Sequence, residues 1–175
     1  MTYLVISSSL NPKSKTYLLA RAAYDKLIAS NVQVDFLDLR KIKLPQCDGA
    51  RYGDNKNVQR VAKRIAAAQC IIFAVPIYNF GVASAAKNLI ELTGDAWRDK
   101  TVGFLCAAGG KSGFMSVMAL ANSLMLDCRC LVIPRFVYAD ASAFSADMLS
   151  EQKIVDRIGD LVSYARKLTD AMHSH

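Results

Sequence analysis

Cys70-Ile71-Ile72-Phe73-Ala74-Val75, closed by Pro76, is an unbroken apolar run. Side chains of a strand point alternately to the two faces of its sheet, so such a run presents apolar groups to both. Both faces must then be covered, as in parallel strands flanked by helices. Tyr3–Ser7 and Val102–Ala107 read the same way.

Working outward, strands and helices alternate. Lys15–Ser30 carries Leu18, Leu19, Ala22, Ala23, Leu27 and Ile28 at helical spacing, and Val32–Asp38 reads as a second strand. Asn57–Ala68 is helical, with Val58, Val61, Ala62 and Ile65 on one face. Ala85–Thr93 is a short helix stopped at Gly94, and Ser112–Leu126 another. Cys130–Val137 is a fifth strand in which Pro134 marks an edge or a bulge. Glu151–Met172 closes the chain with a stripe of Ile154, Ile158, Leu161, Val162, Ala165 and Leu168. Lys41–Lys56 is the one long irregular connection. Right-handed crossovers restrict such a chain to doubly wound forms, and five strands fit a parallel sheet of order 2-1-3-4-5 in an α/β three-layer sandwich.

The 175 residues suit a single domain spanning 1–175. At 53% hydrophobic residues the chain is expected to fold without disulfide or metal. No segment approaches the length of a membrane span, and Met1–Ile6 lacks the basic start of a signal peptide, so a cytoplasmic protein with no membrane partner is expected. The five cysteines, Cys47, Cys70, Cys106, Cys128 and Cys130, form no Cys-x-x-Cys pair and read as reduced, mostly buried thiols. The histidines are His173 and His175, at the C-terminus, so no metal site is expected. The net charge of +7 favours anionic partners. The lysines and arginines are scattered and no aromatic stripe accompanies them, which points to phosphorylated small molecules rather than nucleic acid. The same charge argues against an electron carrier with an acidic docking face.

Ligands of open parallel sheets bind beyond the carboxyl ends of the strands, where strand order reverses. Three loops fall there. The first, Ser7-Ser8-Ser9-Leu10-Asn11-Pro12-Lys13-Ser14-Lys15-Thr16, is rich in hydroxyls and opens a helix, which makes an anion site. Its plainer reading is a helix cap with solvated lysines. The second, Pro76-Ile77-Tyr78-Asn79-Phe80-Gly81, sets aromatic, amide and glycine in a row; it can meet the edge of a flat ring or plug the sheet end. The third, Ala107-Ala108-Gly109-Gly110-Lys111-Ser112-Gly113, lets backbone approach a ligand and aims the following helix at the site, or is only a tight turn. A Walker A loop is excluded because Leu105 stands where its first glycine belongs, G-x-G-x-x-G is absent, and the first loop has no cysteine for a phosphatase.

At these loops the sequence resembles the NADPH-dependent FMN reductase family, which includes quinone, chromate and azo-dye reductases. Pro76-x-Tyr78-Asn79 with Lys87-Asn88 downstream is similar to that family's P-x-Y-N…K-N signature, and Ala107–Gly113 to its glycine-rich turn. The similarity runs over roughly residues 3–137. Asn11 stands where many relatives carry an arginine, and Ile77 where many carry an acid. The resemblance implies a flavodoxin-like fold and FMN as cofactor. The phosphate would lie on Ser7, Ser9, Asn11, Ser14, Lys15 and Thr16, and the ring against Pro76, Ile77, Tyr78, Asn79, Phe80, Gly81, Ala108, Gly109 and Gly110. It further implies NADPH or NADH as hydride donor, a small-molecule acceptor, no covalent catalytic residue, and a homodimer or homotetramer. A flavin-binding electron carrier and a non-redox phosphate-handling protein are the alternatives. Lys87 and Asn88 read equally as a helix start packed beneath the flavin loop, and Trp97 and Tyr138 as core, interface or substrate wall.

Overall fold

The computed structural model describes residues 1–49 and 53–173, so part of the Lys41–Lys56 connection and His175 lie outside the described residues. Its elements run β1 (Thr2–Ser7), α1 (Lys15–Ala29), β2 (Gln33–Asp38), α2 (Lys56–Ala67), β3 (Cys70–Tyr78), β4 (Gly81–Val82), α3 (Ser84–Thr93), β5 (Thr101–Ala107), α4 (Met118–Cys128), β6 (Leu131–Val132), β7 (Val137–Ala139), β8 (Phe144–Ser145), β9 (Met148–Leu149) and α5 (Gln152–His173). The main sheet is ordered β2-β1-β3-β5, with β6 and β7 both paired parallel to β5. This is the expected order, with its last strand divided. The interruption falls at Pro134, which has no N–H to donate, and at Arg135, whose φ of +63° is left-handed.

The apolar runs do what their pattern requires. Leu4, Ile6, Ile71, Phe73 and Val75 face one layer, with Val61 and Ile65 of α2, Leu89 of α3 and Leu124 of α4. Tyr3, Val5, Cys70, Ile72 and Ala74 face the other, with Leu19 and Leu27 of α1 and Ile158 and Leu161 of α5. Trp97 belongs to the first layer: its ring lies 5.3 Å from that of Phe73, and its Nε1 donates to Thr93 Oγ1 at 2.8 Å.

Two element boundaries differ from expectation. β3 does not stop at Pro76 but continues to Tyr78, where it turns back to pair with β4; the Pro76 carbonyl accepts from Ala83 N–H at 3.0 Å. The helix expected from Ser112 begins only at Met118, and residues 112–117 form turns. Gly113 and the packing of Phe114 on Phe136 and Tyr138, at 5.2 and 5.9 Å between ring centres, hold that stretch out of the helix.

Register levels the strand ends. Ser7 lies opposite Ala74, Ala74 opposite Leu105, and Leu105 opposite Val137. The loops that follow β1, β3, β5 and β7 therefore leave the sheet from one rim.

Trp97→Ala is expected to cost about 3–5 kcal/mol of unfolding free energy, the usual range for deleting a fully buried indole. Urea denaturation followed by circular dichroism checks it.

Candidate functional site

The serines after β1 have different tasks. Ser8 is committed to structure: its N–H and Oγ both donate to the Ala74 carbonyl, at 3.0 and 2.9 Å. Ser9 Oγ accepts from Asn11 N–H at 3.3 Å, and Asn11 Oδ1 from Lys13 N–H at 2.9 Å, which folds the loop on itself. Ser14 is the N-cap of α1, its Oγ accepting from Tyr17 N–H at 3.0 Å. The capping reading thus holds for Ser14, yet its hydroxyl hydrogen remains a donor. No acidic residue stands in the first turn of α1, and Lys15 and Thr16 present N–H groups that a helix cannot satisfy internally. Ser7, on the sheet face shared with Tyr3 and Val5, is fully buried and its Oγ has no hydrogen-bond partner among the described residues.

The loop after β3 is a hairpin tip. Tyr78 pairs with Gly81, and Asn79 and Phe80 between them both have left-handed φ, +49° and +60°. Asparagine tolerates that conformation; phenylalanine does not adopt it freely. Phe80 is also 72% exposed, so no burial compensates the strain. Tyr78 beside it is 54% exposed, whereas Ile77 is buried.

The glycines after β5 divide by purpose. A Cβ on Gly109 or Gly110 would meet no atom within 4 Å, so the space beside them is open. A Cβ on Gly113 would lie 3.1 Å from Tyr138 Oη, 3.2 Å from Ile77 Cγ2 and 3.3 Å from Ser116 Oγ, so this glycine serves packing rather than ligand approach. The expectation that the next helix aims its positive end here is corrected, because α4 starts at Met118 and the intervening turns separate its terminus from Gly109. Tyr138 anchors the loop instead, its Oη donating to the Gly110 carbonyl at 2.5 Å, while Ala108 N–H donates to the Ala139 carbonyl at 3.0 Å. Burial raises the Tyr138 phenol above its ordinary pKa, so the donor stays protonated at neutral pH.

Two adjoining cavities bring these loops together. One, of about 220 Å³, is lined by Ser9, Asn11, Lys13, Ser14, Lys15, Thr16, Pro76, Ile77, Tyr78, Ala107, Ala108, Gly109 and Ala141. The other, of about 210 Å³, shares Ile77, Ala108 and Gly109 with it and adds Asn79, Phe80, Gly110, Ser112, Gly113 and Tyr138. Of the residues singled out from sequence, Ser7 and Gly81 line neither. Tyr138 and Ala141 do. They lie at and beyond the end of β7; for Tyr138 the substrate-wall reading is the one its place on the second cavity matches, whereas Ala141 carries no motif and was not singled out. No histidine or carboxylate lines either cavity. The arrangement can hold an anion and a flat ring but offers no side-chain acid or base.

Lys87 and Asn88 serve neither cavity. Lys87 forms an exposed ion pair with Glu91 at 2.7 Å. Asn88 holds the segment that follows β2, its Oδ1 accepting from Cys47 N–H at 2.8 Å and its Nδ2 donating to the Pro45 carbonyl at 2.9 Å. All five cysteines are free, and burial pushes the Cys70, Cys106 and Cys130 thiols up to about 12, which leaves them inert. No group of three or more potential metal ligands occurs among the described residues, and no described helix is long and apolar enough to cross a membrane.

A sequence model of the family described as NADPH-dependent FMN reductase matches residues 1–144. The chain is 27% identical over 139 residues to the NAD(P)H-dependent FAD/FMN reductase of Geobacillus thermodenitrificans, covering 78% of this chain and 75% of that one. It is 29% identical over 138 residues to the NADPH:quinone oxidoreductase of Arabidopsis thaliana, covering 75% and 70%. Among solved structures, the NADH:FMN oxidoreductase EMOB in its apo form superposes with a TM-score of 0.80 at 17% identity, over 95% of this chain and 89% of that one. FerB, the NAD(P)H:(acceptor) oxidoreductase of Paracoccus denitrificans, superposes with a TM-score of 0.75 at 19% identity, over 95% and 97%. These structural likenesses show the flavodoxin-like fold.

Phe80→Gly is expected to raise unfolding stability by about 1 kcal/mol through release of the left-handed strain. Chemical denaturation of the two proteins side by side measures it, and a loss of stability would show that the Phe80 ring is held by packing.

Proposed function

The chain belongs to the NADPH-dependent FMN reductase family, and from that premise we propose that it uses FMN, held where the loops after β1, β3 and β5 meet, to pass hydride from NAD(P)H to a small flavin or quinone-type acceptor. The observation that carries this reading is the convergence itself. Three loops of unusual composition, far apart in sequence, line one pair of cavities that contain two lysines and a helix N-terminus but no carboxylate.

The residues fit the cofactor. A buried hydroxyl without a partner costs roughly 1–3 kcal/mol, and the Ser7 Oγ, at the foot of the first loop, is in that state within the protein alone. Ser9, Asn11, Ser14, Lys15 and Thr16 would receive the phosphate, with the first N–H groups of α1 behind it. Lys13, on the same cavity, would supply a point charge beside Asn11. Pro76, Ile77, Tyr78 and Asn79 would border one side of the ring, and Ala108, Gly109 and Gly110 another. Phe80 would stand at the mouth, and Gly81 would hold the hairpin by its pairing with Tyr78. Four or five charge-assisted hydrogen bonds amount to about 6–15 kcal/mol gross, against an association cost of about 4–15 kcal/mol. The ring contacts must therefore contribute to holding.

FMN supplies the hydride chemistry when bound. The protein's part is placement. The bare backbone at Gly109 and Gly110 leaves room for a flat ring, Tyr138 keeps that backbone from shifting, and Pro76 and Ile77 limit water. No histidine or carboxylate lines the cavities to relay a proton. A dedicated electron carrier is disfavoured by the net charge of +7. The proposal extends to a cytoplasmic protein working as a homodimer or a pair of dimers, with Phe80, Phe114 and Met115 as exposed apolar groups for a second copy to cover.

Purified protein supplied with FMN is expected to turn yellow and to oxidise NADPH or NADH in the presence of free flavins or quinones. Flavin binding with no nicotinamide oxidation would leave the carrier, and no flavin binding would defeat both. Lys15→Ala or Thr16→Ala is expected to weaken FMN affinity about ten-fold or more while shifting the melting of the flavin-free protein little. An equal loss in apo stability would make these residues helix-capping groups only.

A further inference from the structure

A further cavity lies apart from the two small ones. It measures about 840 Å³, lies on the other side of the first loop, and is walled by residues 39–46 and by the start of α3. The first loop is the partition between the two sites: Leu10 and Pro12 line the large cavity, whereas Ser9, Asn11 and Lys13 line the smaller one. We propose that this cavity receives the adenosine end of the nicotinamide dinucleotide, with Lys41 and Lys43 facing its 2′-phosphate, so that the protein selects NADPH over NADH. The inference rests on the reductase reading above and names the donor for it.

The wall is fixed by side chains. Arg40 donates to both Asp38 carboxylate oxygens, from Nε at 3.0 and 3.1 Å and from Nη2 at 2.7 Å. Its Nη1 donates to the Pro12 carbonyl at 3.2 Å, and its guanidinium lies 4.2 Å from the centre of the Tyr17 ring. Burial opposes the charge on Asp38, but the hydrogen bonds and charge of Arg40 outweigh it and hold the carboxyl below its ordinary range. Asn57 Nδ2 donates to the Lys43 carbonyl at 2.8 Å, and Asn88 holds Pro45 and Cys47. A pinned wall of this kind makes a preformed cavity, and the volume lies within the usual range for small-molecule sites.

Its chemistry is that of a phosphorylated, partly apolar ligand. Arg40, Lys41 and Lys43 line it and no carboxylate does. Arg40 is engaged with Asp38, but Lys41 and Lys43 are exposed and form no ion pair among the described residues. Arg60 shares a further cleft with Lys41; Arg64 lies there too but is paired with Asp35 at 2.6 Å, and Asp38, already engaged by Arg40, borders the same cleft. The start of α3 also borders the cavity and has neither a side-chain cap nor an acid in its first turn. Leu10, Ile42 and Leu44 supply apolar surface for a purine. A phosphate dianion relieves the repulsion between these cations.

Calorimetry on the FMN-loaded protein with adenosine 2′,5′-bisphosphate and with adenosine 5′-monophosphate tests the proposal without turnover. The bisphosphate is expected to bind about ten-fold or more tightly than the monophosphate, and Lys41→Ala/Lys43→Ala to remove that difference. In steady state the same double variant is expected to raise the KM for NADPH by about ten-fold relative to that for NADH. Lys153→Ala/Lys167→Ala, of equal charge change on α5, keeps the ratio. Equal affinity of the wild type for both nucleotides, a KM ratio unmoved by the double variant, or a change in dimerisation in place of nucleotide affinity overturns the inference and leaves the reductase reading intact. Failure of the wild type to oxidise either nicotinamide defeats the reading beneath it.

Discussion

The strand register is the constraint on which the site depends. Ser7, Ala74, Leu105 and Val137 lie side by side across β1, β3, β5 and β7. A slip of one residue in any strand would exchange the side chains packed against the two layers and lift its loop off the common rim. The slip is resisted because adjacent residues of β1 and β3 are committed to opposite layers of the core, Ile6 and Phe73 to one, Val5 and Ile72 to the other. Packing on both faces thus sets the positions of loops that share no sequence proximity.

On that rim the chain combines local rigidity with an open space. The Ser8 hydroxyl ties the first loop to β3 through Ala74, and Tyr138 ties the third loop to β7 through Gly110. Between them Gly109 and Gly110 leave room, while Phe80 is held exposed in a left-handed conformation. Strain of that kind costs of order 1–3 kcal/mol and persists where the surroundings over-determine it. Here the Tyr78–Gly81 pairing of β3 with β4 does so. On the far side of the first loop, Arg40 connects the wall of the large cavity to Pro12. A loop of a few residues thus separates the two cavities.

Much of the fold was legible because the apolar runs of β1, β3 and β5 admit one reading, and their helices carry clean apolar stripes. The limits were local. Ser112–Val117 has residues compatible with a helix, but the close fit of Gly113 beneath Tyr138 is a tertiary fact that periodicity does not carry. Pro76 looked like a strand end because a proline lacks a donor, yet its carbonyl pairs onward to Ala83. Asn88 belongs to a family-like signature, but its partners Pro45 and Cys47 lie in the long connection, where sequence pattern is weakest. Of the site, the loop composition pointed to most of the residues that line the two small cavities, though Ser7 and Gly81 line neither and Ala141 carried no signal. It could not show that Ser14 serves as the cap of α1, nor that Leu10 and Pro12 face a second space.

The central claim is that the first loop grips a phosphate. Titration of the flavin-free protein with FMN and with riboflavin, followed by flavin fluorescence, isolates that group, since the two ligands share the ring. The account predicts FMN affinity at least about a hundred-fold above that of riboflavin, as two or more charge-assisted hydrogen bonds require. Equal affinities would contradict it, for the serines and lysines before α1 would then contribute nothing to binding.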